Sequence, residues 1–103
     1  MVQPKKPEYV LNWDEIGPRL KKFILIHLIR AFNENKTSEL TINTLVETLS
    51  CNMGNIVKAQ IMIYVENLLY YGYISYENSS KITLSDKVFD ELQIVDKIIY
   101  RSA

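Results

Sequence analysis

Residues 55–85 read NIVKAQIMIYVENLLYYGYISYENSSKITLS, and the rest of the chain is arranged around them. No proline or glycine interrupts Ile56 to Tyr71, and Ile61, Tyr64, Val65 and Leu68 fall at i, i+3, i+4 and i+7, the spacing of one buried helical stripe. This predicts a helix over 56–71, ended by Gly72. Two alternating runs follow, Tyr73 to Glu77 and Lys81 to Ser85, joined by the polar cluster Asn78-Ser79-Ser80. That pattern predicts a hairpin over 73–85.

Upstream, Gly54-Asn55 is the pair expected where a preceding helix must turn left-handed. Leu45, Val46, Leu49 and Met53 place that helix at 43–53, with Asn43 or Thr44 as its cap. Glu39 to Ile42 is a brief strand candidate that could pair with the hairpin. A first helix is expected over 14–33, opening at 14 or 17 so that Pro18 sits in its first turn, with Asn12 or Asp14 as cap. Residues 1–12, with Pro4 and Pro7, read as an extended arm that Tyr9 and Trp13 tack onto the body. Asp86 favours the start of a last helix over 86–100, striped by Val88, Leu92, Val95 and Ile99.

A chain of 103 residues with 48% hydrophobic content suits one domain, here 13–103 behind the arm. Its 12 basic and 12 acidic side chains balance, which is not the footprint of a strong non-specific nucleic-acid binder. The charge is uneven: six Lys/Arg against three acids in residues 1–30 make +3 there and −3 beyond. A single cysteine, Cys51, no secretory segment and no long apolar run lead to the expectation of a cytoplasmic protein without membrane contact.

Catalytic chemistry finds little to build on. His27 is the only histidine and lies in an apolar helical run, Cys51 has no histidine or charge beside it, and no glycine-rich phosphate loop occurs. The expectation is a protein that is not an enzyme and needs no metal, cofactor or small-molecule ligand.

A short helix, a tight turn, a longer helix ending in Leu-x-x-x-Gly-Tyr-Ile and a hairpin together resemble the winged-helix domain of MarR-type and related regulators. The fold this implies is mostly α with a small β-hairpin, a winged helix-turn-helix with an additional C-terminal helix. The match spans about residues 15–100. It implies that residues 56–71 are the recognition helix, with Ile61, Tyr64, Val65 and Leu68 as its buried face and Lys58, Ala59 and Gln60 presented to the major groove. Lys58 would bond guanine or phosphate and Gln60 adenine. Asn55 would reach a phosphate, and the wing tip Asn78-Ser79-Ser80-Lys81 the backbone or minor groove. Lys5 and Lys6 would add contacts from the arm.

The function so implied is sequence-specific binding of double-stranded DNA by a small dimeric transcription regulator. Met62, Ile63, Leu69, Tyr70 and Tyr71 depart from the pattern, because a groove-reading face is usually polar. They keep a second reading open: a winged-helix module that docks onto protein within a larger complex. The surplus of apolar residues on the first and last helices predicts a homodimer through Phe23, Ile26, Leu92, Val95, Ile98 and Ile99.

Overall fold

A computed structural model describes residues 6–35, 40–78 and 80–102. Four helices and one hairpin follow in the order α1 (Pro18–Glu34), α2 (Ile42–Asn52), α3 (Lys58–Tyr70), β1 (Ile74–Tyr76), β2 (Ile82–Leu84) and α4 (Lys87–Ser102). The chain is therefore mostly helical with a small antiparallel hairpin, as expected.

Each helix places one stripe in a shared core. Leu25, Leu28 and Ala31 of α1, Leu45, Val46 and Leu49 of α2, and Ile61, Val65 and Leu68 of α3 are all buried, and Ile74 and Ile82 of the hairpin close the cluster. In the hairpin Ile74 faces Leu84 and Tyr76 faces Ile82, so these four side chains share one face of the two strands. Its outer face carries the Ser75–Thr83 hydroxyl pair.

Several expected boundaries move. Helix α1 opens at Pro18 rather than at 14, because the residue before a proline is pushed out of the helical region. Gly17 is extended there (φ −62°, ψ 152°) and no side chain caps the helix. Asn12 and Asp14 are thus not caps; Asn12 instead accepts the Glu15 amide in a preceding turn. Helix α2 is capped by Thr41, whose hydroxyl accepts from the Thr44 amide at 3.2 Å, not by Asn43 or Thr44. The strand expected just before it reduces to one bond, Ile82 N–H to the Leu40 carbonyl at 2.9 Å, since Ile42 is already helical; Glu39 lies outside the described residues.

Helix α3 ends in a left-handed turn. Gly72 has φ +83°, Tyr73 N–H donates to the Leu68 carbonyl at 2.9 Å and Gly72 N–H to that of Leu69 at 3.2 Å. This pair of bonds satisfies carbonyls that the last helical turn leaves open. The turn aims Tyr73 into the core, where its ring meets Trp13 at 5.1 Å. Lys87, the first residue of α4, donates to the Tyr71 carbonyl at 2.6 Å and lies 4.7 Å over the Tyr73 ring.

Helix α4 packs along α1. Val88 and Val95 are buried, and Lys21–Glu91 (3.3 Å) and Lys22–Asp96 (2.7 Å) pair across the two helices. Val95, expected in a dimer interface, is 1% exposed in the single chain and is covered by its own subunit. Among the described residues no helix is long and apolar enough to cross a membrane.

Two stability predictions follow from this geometry. Adding a Cβ at Gly72 meets no atom within 4 Å, so Gly72→Ala should cost about 1–2 kcal/mol through the left-handed backbone alone. Gly17→Ala, at a negative φ and equally open, should be neutral or stabilise by up to about 1 kcal/mol; urea titration measures both. His27 of α1 has a buried Nδ1 without a partner among the described residues, and its pKa is held below the ordinary 6.5 by burial and then by Arg30. Its neutral form belongs to the fold, so the associated stability is complete above pH 6.5 and is lost as pH falls through the folded-state value. His27→Leu should flatten that part of the stability curve.

Candidate nucleic-acid interface

The turn between α2 and α3 sets the first part of the surface. Gly54 takes φ +58° and lets the chain reverse in a few residues, leaving Asn55 and Val57 exposed. Helix α3 begins at Lys58, two residues later than expected, and no side chain caps it. The amides of Gln60 and Ile61 return to the Val57 carbonyl at 3.0 and 3.1 Å. Asn55, Lys58 and Ala59 therefore stand together at the exposed opening of α3, with Gln60 half-buried behind them.

Lys58 is ion-paired with Glu47 of α2, both side chains being about three-fifths exposed (60% and 62%). A pair so exposed contributes no more than about 1 kcal/mol and exchanges readily for another anion. At the hairpin tip Asn78 Oδ1 accepts from the amides of Ser80 (3.0 Å) and Lys81 (2.9 Å) and from the Ser80 hydroxyl (3.2 Å). Asn78 thus builds the turn. Lys81 pairs with Glu77 at 2.9 Å. Ser79 and Lys5 lie outside the described residues, and Lys6 is exposed.

From α2 through the hairpin the charged side chains are Lys58 and Lys81 against Glu47, Glu66 and Glu77, a net charge of −1. Neither lysine stands apart from a carboxylate, so the field over this face is weak.

The residue that composition and periodicity did not single out is Asn67. It is fully buried, and its amide is engaged on three sides. Nδ2 donates to the carbonyls of Tyr9 and Ile63, both at 2.8 Å, and Oδ1 accepts the Leu11 amide at 2.8 Å. Tyr71, one turn on, donates its hydroxyl to the Leu11 carbonyl at 2.6 Å. The arm is thus tied to α3 through its backbone, while the Tyr9 side chain is 63% exposed. Trp13 anchors the arm as expected; Tyr9 does so through its carbonyl rather than its ring. Beyond the clamp, Lys6, Pro7 and Glu8 line a groove of about 560 Å³ with Ile42, Glu66, Leu69 and Tyr76.

Among the residues expected at a dimer contact, Phe23 and Ile98 are exposed, at 38% and 45%. Ile26, Leu92 and Ile99 are half-buried. Tyr73, whose phenol is pushed up to about 12 by burial and then by Glu91, stays neutral and serves as a packing group. Among the described residues no group of three or more His, Cys, Asp or Glu is placed to hold a metal ion.

No protein-family model, curated protein or solved structure matches the chain.

The clamp predicts its own energetics. Asn67→Ala would leave the half-buried Leu11 amide and the Tyr9 carbonyl without their partner, a loss of about 1–3 kcal/mol, while the Ile63 carbonyl keeps its helical bond. Tyr71→Phe, which keeps the ring, should cost about 1 kcal/mol. Hydrogen exchange at the Leu11 amide should accelerate in Asn67→Ala well beyond the change in global stability.

Proposed function

We propose that the chain is a winged helix-turn-helix protein that binds double-stranded DNA in a sequence-specific manner, a small transcription regulator acting as a dimer. The observation that carries this reading is the opening of α3. It is uncapped, exposed at Val57, Lys58 and Ala59, and set by a tight left-handed turn behind a shorter helix. The first amides of a helix have no partner within it, and they favour an anion. A helix presented this way can enter a major groove end first, with the hairpin beside it.

In this reading Lys58 leaves Glu47 for a phosphate or a guanine edge, and Gln60 reads adenine. Asn55 and the exposed tip residues Asn78 and Ser80 approach the sugar-phosphate backbone, with Lys81. Two copies joined through exposed apolar side chains such as Phe23 and Ile98 would present two α3 helices to neighbouring half-sites. The second reading, a winged-helix module that docks on a protein, draws on the −1 charge of this face and on Val57, 68% exposed at the tip of α3.

Binding to mixed-sequence and selected duplexes across a salt series separates the two, since DNA affinity falls steeply with salt. Lys58→Ala and Gln60→Ala should each weaken selected-site binding by about 1–3 kcal/mol, and Lys81→Ala should weaken all sequences alike and lower the salt slope by about one unit. Unchanged binding in all three would discard this surface. For the dimer, sedimentation equilibrium should give twice the 12.0 kDa chain mass and a return toward the monomer in Ile98→Asp. Val95→Asp is unsuitable as a probe because it would unfold the α1–α4 packing.

A further inference from the structure

The groove beside the clamped arm has a volume of about 560 Å³, within the range that holds one small organic molecule. Separate parts of the chain build it: Pro7 and Glu8 of the arm, Ile42 at the start of α2, Glu66 and Leu69 of α3, and Tyr76 at the end of β1. A site assembled in this way leaves no motif in the sequence. Its walls are held in place. Pro7 is buried, and Ile42, Glu66 and Leu69 are half-buried. The arm is fixed next to Glu8, where the Tyr9 carbonyl and the Leu11 amide bond to Asn67, and Thr41 caps the turn of α2 that carries Ile42.

What the groove can hold follows from its chemistry. Glu66 and Leu69 are three residues apart and share one flank of α3, which sets a carboxylate beside an aliphatic wall. Pro7, Ile42 and the Tyr76 ring add further apolar surface. The charged residues are Glu8 and Glu66 against Lys6, a net −1. None of the three has an ion pair among the described residues, whereas Lys21, Lys22, Lys58 and Lys81 are each matched by a carboxylate.

A half-buried carboxylate beside apolar walls favours a cation whose own body is apolar, because the charge meets Glu66 while the body removes Leu69 and Ile42 from water. Tyr76, 42% exposed, offers its ring to the same cation. An anion of equal shape would meet two carboxylates and one exposed ammonium. We propose that this groove binds a small organic cation with an apolar body, with Glu66 as its charge partner. The inference goes beyond the DNA-binding reading and does not depend on it.

The test is isothermal titration calorimetry of the full chain with tetraphenylphosphonium and, separately, with tetraphenylborate, an anion of nearly the same shape. The cation should bind with a dissociation constant of about 10–100 μM, and the anion at least about fivefold more weakly. Glu66→Gln, nearly equal in volume, should weaken the cation about three- to fivefold and strengthen the anion. Lys6→Gln should act the other way on both, by up to about twofold. Tyr76→Ala should weaken the cation whatever the charge variants do, since it removes wall area and the ring. Equal affinity for the two probes, an unchanged cation affinity in Glu66→Gln with the fold intact by circular dichroism, or no cation binding up to about 1 mM would overturn the proposal. Tighter binding of a lysine-rich amphipathic peptide, lost in Glu66→Gln, would assign the groove to a protein partner and overturn it as well.

Discussion

The left-handed turn at Gly72 is the constraint on which the molecule hangs. It satisfies the carbonyls of Leu68 and Leu69, stops α3 and sends Tyr73 into the core, and four contacts from other parts of the chain converge at that point. Trp13 packs at a tilt against Tyr73, Lys87 reaches the Tyr71 carbonyl, the Ser85 amide returns to the Tyr73 carbonyl, and the Tyr71 hydroxyl holds Leu11. The arm, the hairpin and the last helix are thereby referred to one end of α3. A shift of α3 by a turn would move all three together.

The exposed opening at the opposite end of α3 is positioned by that anchoring. The exposed first turn carries one charge, Lys58, and Glu47 pairs with it. In the DNA-binding reading, a surface of this kind gains affinity from geometry more than from field strength. Contacts held in register on a rigid frame lose less freedom on binding than loose lysines would. The clamp at Asn67 has this character, converting an N-terminal segment that would otherwise be free into part of a defined face.

Much of the framework was legible because it rests on local rules. The interruption-free run before Gly72, the alternation on either side of Asn78-Ser79-Ser80 and the Gly54 turn each express a backbone preference over a few residues. The boundaries moved where two local rules competed. Pro18 overrode Asn12 and Asp14 as the start of α1, and Thr41 took the cap of α2 because its hydroxyl, on the residue just before the helix, reaches the Thr44 amide. The surplus of apolar residues on α1 and α4 was also real, but Val95 turned out to be covered from within. A helix apolar on several sides can be sandwiched by its own chain as well as by a second one.

By itself the sequence determined the four helices and the hairpin, their order, most of the residues facing the core and the positions of the two left-handed glycines, since periodicity and backbone sterics act over neighbours; the strand expected over 39–42 it did not determine. Only the tertiary structure decided that Asn67 is buried, that α4 covers α1 and that the arm lies over α3. Those outcomes depend on partners far away along the chain, 56 to 70 residues apart in their hydrogen bonds. An asparagine in a helix has the same hydrogen-bonding capacity whether water or a distant backbone fills it, and nothing in its neighbours distinguishes the two.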